Sequence, residues 1–135
     1  MKYVLLIMLL MIGCSVSQSE RAFFNGNCDR FFEDRHLTWN VHLQPGDSLL
    51  VTLCSNATTG FRWSESAQIK NESILEQKGH TFVAPEKSMP GAAGKEEWTF
   101  DTLKKGTSVV VWEYGRPWAG GEKREWSLTA TVIVD

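Results

Sequence analysis

Apolar and polar residues alternate through most of the chain beyond residue 36. Polar positions separate Leu37, Trp39, Val41 and Leu43, and the same period returns at Leu49, Val51 and Leu53. A period of two puts successive side chains on opposite faces, so each segment reads as a half-buried strand. Pro45-Gly46-Asp47 between them is turn chemistry. Phe61, Trp63 and Glu65 lead a third strand, and residues 74–83 form a fourth with mixed patterning. Trp98 and Phe100 open a fifth that ends near Leu103. Residues 107–114, with the run Val109-Val110-Val111-Trp112, make a sixth rich in strand formers. The last, residues 125–134, carries Trp126, Leu128, Ala130, Val132 and Val134 in strict alternation. No segment shows a helical stripe. The expectation is an all-β, immunoglobulin-like β-sandwich of about seven to eight antiparallel strands. It occupies residues 36–135.

Three loops break this pattern. Ser55-Asn56-Ala57-Thr58-Thr59-Gly60-Phe61 follows the second strand. Residues 84–95, with Pro85, Pro90, Gly91, Ala92, Ala93 and Gly94, follow the fourth. Two prolines and two glycines rule out regular structure through it, and such long loops are often functional. Gly115-Arg116-Pro117-Trp118-Ala119-Gly120-Gly121 follows the sixth. Alternate strands of a sandwich run the same way, so the three loops should crowd at one pole, as antibody loops do. Gly60 allows close backbone approach, and Thr58 and Thr59 carry hydroxyls that donate and accept. The first loop holds no strong nucleophile, base or metal ligand. It reads as a wedge that touches a partner and transforms nothing. Pro117 would hold Trp118 out as a rigid surface, and Arg116 could stack or form a forked ion pair.

Residues 1–19 are an address. Lys2 precedes the apolar run Val4 to Ile12, a signal-peptide pattern too short for a stable membrane anchor. Ser15-Val16-Ser17 suits ordinary cleavage, whereas Met11-Ile12-Gly13-Cys14 resembles a bacterial lipobox with Cys14 as the lipidated residue. The expected location is therefore periplasmic or cell-surface as a lipoprotein, or secreted. Residues 20–35 mix aromatics with charge and read as an N-terminal extension lying over the domain. Removal or modification of Cys14 leaves Cys28 and Cys54 in an oxidising setting. They form either a disulfide or two separate buried thiols. A catalytic Cys54 would need a histidine base, and His36, His42 and His80 follow no recognisable pattern.

The 135 residues suggest one domain. Lys+Arg 14 against Asp+Glu 16 leaves no basic stripe, which argues against nucleic acid and against electrostatic docking on membranes. Five of the tryptophans, Trp39, Trp63, Trp98, Trp112 and Trp126, sit in strands and are assigned mainly to the core. Glu122-Lys123-Arg124-Glu125 reads as a solvated strand start.

Three motifs stand in order: Asn56-Ala57-Thr58-Thr59-Gly60-Phe61-Arg62-Trp63, then Pro90-Gly91-Ala92-Ala93-Gly94, then Arg116-Pro117-Trp118. Together they resemble the chagasin family of cysteine peptidase inhibitors, over residues 37–134. The resemblance implies reversible, tight inhibition of papain-like cysteine peptidases by a monomer that needs no cofactor or metal. Thr58, Thr59 and Gly60 would enter the catalytic cleft, and the other two loops would grip its walls. One departure stands out: the family's proline is Ala57 here. Its loss should cost about 0.4–1 kcal/mol of preorganisation. It also creates the sequon Asn56-Ala57-Thr58, whose glycan would plug the wedge. Inhibition therefore requires a bare Asn56, which favours a bacterial source. The second sequon, Asn71-Glu72-Ser73, lies away from the expected pole. The alternative reading is a surface adhesion or carbohydrate-binding module that stacks a sugar on Trp118.

Overall fold

A computed structural model describes residues 13–16, 18–86 and 93–135. The leader run up to Ile12, Ser17 of the cleavage motif, and Pro90, Gly91 and Ala92 of the middle loop lie outside the described residues. Among the described residues nine strands form two sheets: β1 (Arg21–Asn25), β2 (His36–Leu43), β3 (Ser48–Ser55), β4 (Arg62–Trp63), β5 (Gln68–Ile69), β6 (Leu75–Val83), β7 (Gly94–Thr102), β8 (Gly106–Gly115) and β9 (Trp126–Val134). One sheet has the order β1-β3-β7-β6, the other β2-β9-β8-β4, with β5 also on β8. The β-sandwich expected from the alternation is the fold found.

Two details differ from an all-antiparallel sandwich. β1 pairs parallel with β3, and β2 pairs parallel with β9. A parallel pair cannot be closed by a tight turn. None is required, because β1 and β2 are consecutive and sit in opposite sheets, each adding an edge. Residues 20–35, read as an extension over the domain, therefore supply a strand of the sandwich itself. The strand expected around Phe61 to Glu65 is also split into β4 and β5. The Trp98 indole N–H donates to the carbonyls of Ser64 and Glu65, at 3.2 and 3.0 Å, holding them in a bend.

The core lies between the sheets. Val51, Trp98 and Phe100 from one face Val110, Trp112, Leu128 and Val132 from the other, all fully buried. The Trp112 ring meets Trp98 and Phe100 edge to face at 6.3 and 5.5 Å. Burial of each such side chain is worth about 1.5–3 kcal/mol. Trp63 and Trp126 are buried as expected. Trp39 is only half-buried and packs on Phe24 at 5.2 Å, between the two edge strands.

Candidate interaction pole

β3 and β6 both run antiparallel to β7, so their C-terminal ends share one pole. β4 starts there and pairs antiparallel with β8, with Arg62 opposite Gly115, so β8 ends there too. The wedge loop leaves β3, the middle loop leaves β6 and the third loop leaves β8. The strand directions thus gather the three loops as the alternation predicts.

The wedge is built on two buried rings. The Trp63 indole N–H donates to the Cys54 carbonyl at 2.8 Å. The Tyr114 hydroxyl accepts from the Asn56 amide at 3.0 Å and donates back to its carbonyl at 3.4 Å. Burial pushes the Tyr114 pKa up, which keeps the hydroxyl protonated for that second bond. Asn56 then folds the next residues over itself. Its Oδ1 accepts from the Thr58 amide at 3.2 Å and the Thr58 hydroxyl at 2.6 Å. Its carbonyl accepts the Thr59 hydroxyl at 2.8 Å. Ala57–Thr59 is a 3-10 turn, and Gly60 leaves it with φ at +80°. The Thr58 and Thr59 hydroxyls, read as groups that donate and accept, both donate within the loop and shape it.

Arg116 locks the third loop to the wedge. Its Nε and Nη2 donate to the Thr59 carbonyl at 3.3 and 3.2 Å. Its Nη1 donates to both Glu122 oxygens, at 3.0 and 2.8 Å. The guanidinium also lies over the Phe61 ring, 4.6 Å from its centroid. Stacking and ion pairing were both open from the sequence, and Arg116 does both within its own chain. Lys123 Nζ donates to the carbonyls of Arg116 and Trp118 at 2.6 and 2.7 Å. Glu122 and Lys123, read as a solvated strand start, are the clamps of this loop. Glu122 accepts from a neighbouring cation and Lys123 donates to backbone carbonyls, partners that no residue pattern announces. The Glu122 carboxyl is held below the usual range, first by its own backbone N–H and then by Arg116.

Trp118 is half exposed and leans over the wedge. A Cβ on Gly60 would fall 2.5 Å from its Cη2. Pro117 stands beside it in the same loop. The middle loop is described at its ends. Ala93 shares a cavity with Asn56 and Thr59. Gly94, assigned to the loop from sequence, begins β7, pairs with Ser55 and is buried. A Cβ there would meet the Val83 carbonyl at 2.6 Å.

Cys28 and Cys54 form a disulfide, with Cα atoms 5.5 Å apart. The bridge removes Cys54 as a free nucleophile. Cys14 is free and exposed. Among the described residues no three His, Cys, Asp or Glu side chains gather as a metal site.

The pole thus offers a folded loop tip, an aromatic face and a cation already neutralised. That is the equipment of a binding module. Residues 42–132 match the model of the chagasin family of peptidase inhibitors, family I42. Chagasin from Trypanosoma cruzi is 35% identical over 78 residues, covering 56% of this chain and 70% of that protein. Amoebiasin-2 of Entamoeba histolytica is 27% identical over 94 residues, covering 70% of this chain and 76% of that one. The chain belongs to the chagasin family, whose members are peptidase inhibitors and not enzymes. Among solved structures, the Entamoeba histolytica cysteine protease inhibitor EhICP2 superposes with a TM-score of 0.67 at 22% identity, covering 87% of this chain and 97% of that one. PbICP-C, solved in complex with falcipain-2, gives 0.55 at 14%, covering 86% and 98%. At these identities the structural likeness speaks for the fold.

Proposed function

We propose that this protein is a reversible, tight-binding inhibitor of papain-like cysteine peptidases that fills the catalytic cleft with its wedge loop. The observation that carries the reading is the interlock of Arg116, Thr59 and Trp118 around Gly60, within a chain of the chagasin family. Because Arg116 fixes the wedge before any partner arrives, little ordering entropy is lost on binding. Gly60 brings backbone to the catalytic centre, and Trp118 covers the adjoining wall. The middle loop, Pro90 to Gly94, grips the opposite wall. The step is exclusion of substrate, with no bond made or broken. The chain acts as a monomer and is exported. Cys14 is its lipid anchor if the lipobox is used, and Asn56 carries no glycan.

Titration of purified protein into papain tests this. The expected result is stoichiometric loss of peptidase activity that returns on dilution. A folded sample that leaves papain and related peptidases active at micromolar concentration would sink the reading. Detergent-phase partitioning that disappears in Cys14→Ser would identify the lipid anchor, and aqueous partitioning of the unmodified protein would identify ordinary cleavage.

A further inference from the structure

The strap between β1 and β2 carries two adjacent rings with opposite fates. Phe31 turns inward and stacks on Trp126 with the ring planes 1° apart and the centroids 5.2 Å apart. Phe32 turns outward and is 78% exposed. The strap is tied down at several points. Cys28 bonds to Cys54 at the base of the wedge. The Trp126 indole N–H donates to the Phe31 carbonyl at 2.7 Å. Arg35 lies over the Trp126 ring at 4.9 Å, and within the strap itself the Arg30 Nε donates to Asp34 at 2.9 Å. Phe31 also meets the edge of Tyr114, the residue whose hydroxyl holds Asn56. Strap and wedge therefore rest on the same ring.

Phe32 lies at the pole and not on the flank. With Asn56, Thr59, Phe61 and Ala93 it borders one cavity of about 150 Å³. Three of those residues belong to the wedge and one to the middle loop. A body that covers the wedge covers this cavity as well. A single exposed phenylalanine is ordinary. One that is held rigidly beside a binding loop is the form a hot-spot anchor takes. A wedge of a few residues also cannot supply the roughly 800 Å² per partner that a stable interface buries.

We propose that the strap is a fourth peptidase-contacting element, with Phe32 seated against an apolar part of the cleft rim of the same papain-like peptidase. This deepens the proposed function and rests on it. The bridge and the Phe31 stack set the position of Phe32, and Phe32 makes the contact.

The test compares Phe32→Ala with Phe23→Ala in the purified protein, by titration against papain. Phe23 is also exposed but pairs with Leu50 in the middle of its strand, away from the loops. Phe32→Ala should inhibit about tenfold more weakly, as truncation of an aromatic anchor does. Its thermal midpoint should stay unchanged. Phe23→Ala should match the unmodified protein, and Phe32→Tyr should recover most of the loss. If the unmodified protein inhibits and Phe32→Ala stays within twofold of it, this inference is overturned and the proposed function stands. If the unmodified protein does not inhibit, both fall.

Discussion

At the scale of single residues, Gly60 has two reasons to be glycine. Its φ of +80° is left-handed, and its missing Cβ makes room for Trp118. Gly60→Ala should lose about 1–2 kcal/mol from the backbone conformation. The clash is with the far end of an exposed ring, which can swing away without unfolding the domain. Thermal unfolding should therefore show a folded protein with a lower midpoint, while titration against papain shows the larger effect. Glu122 supports a second expectation. A carboxyl held below its ordinary pKa favours the folded loop while ionised, and that contribution is lost as pH falls through the lowered value. The Arg116 tie should thus persist at neutral pH and break only below the ordinary glutamate range. A carbon-detected NMR titration of Glu122 should show its midpoint rising in Arg116→Ala, but only part of the way. Its own backbone N–H is the larger cause and remains.

At the scale of elements, the bridge closes the chain from Cys28 to Cys54, a separation of 26 residues. Replacing both cysteines by alanine should cost about 3.5 kcal/mol, by the loop-closure argument. Urea unfolding measures it. The strands were legible because period two survives in β2 and β7, where inward positions alternate with exposed ones, and in β9, where they alternate with half-buried ones. It survives also in the apolar residues of β3, although both faces of β3 are buried from Val51 to Ser55. β1 was not legible. Arg21–Asn25 alternates weakly, and its place depends on pairing with β3 far along the chain. For the same reason the sequence left the bridge as one option among others: without β1 in the sheet, nothing brings Cys28 to Cys54. The wedge and the Arg-Pro-Trp motif stood out as residues. Their interlock did not, since Arg116 reaches a backbone carbonyl and Lys123 two more. Backbone acceptors have no residue letter of their own.

At the scale of the whole molecule, the two parallel edge strands make the N-terminal segment part of the body. A chain beginning at His36 would lose β1, the bridge, the Phe24–Trp39 contact and the ring beneath Trp126. It should unfold at a lower urea concentration than the double alanine variant, which keeps all of these except the bridge. Equal midpoints for the two would mean that residues 20–35 contribute only through the Cys28–Cys54 bond.

The bridge also sets this protein's chemistry against that of its proposed partner. A cysteine peptidase attacks with a thiolate, so it works only while its sulfur is reduced. The Cys28–Cys54 bond exists only while its sulfurs are oxidised, and Cys28 is exposed to whatever reductant is present. Thiol added to keep the enzyme alive would cut the strap's covalent tie to the base of the wedge and leave only its non-covalent ones. Preincubation with dithiothreitol should therefore weaken inhibition of papain with time, and the double alanine variant should not respond. Oxidation state thus sets the compartments where inhibitor and enzyme are both intact: oxidising enough for the bridge, yet reducing enough for the thiolate.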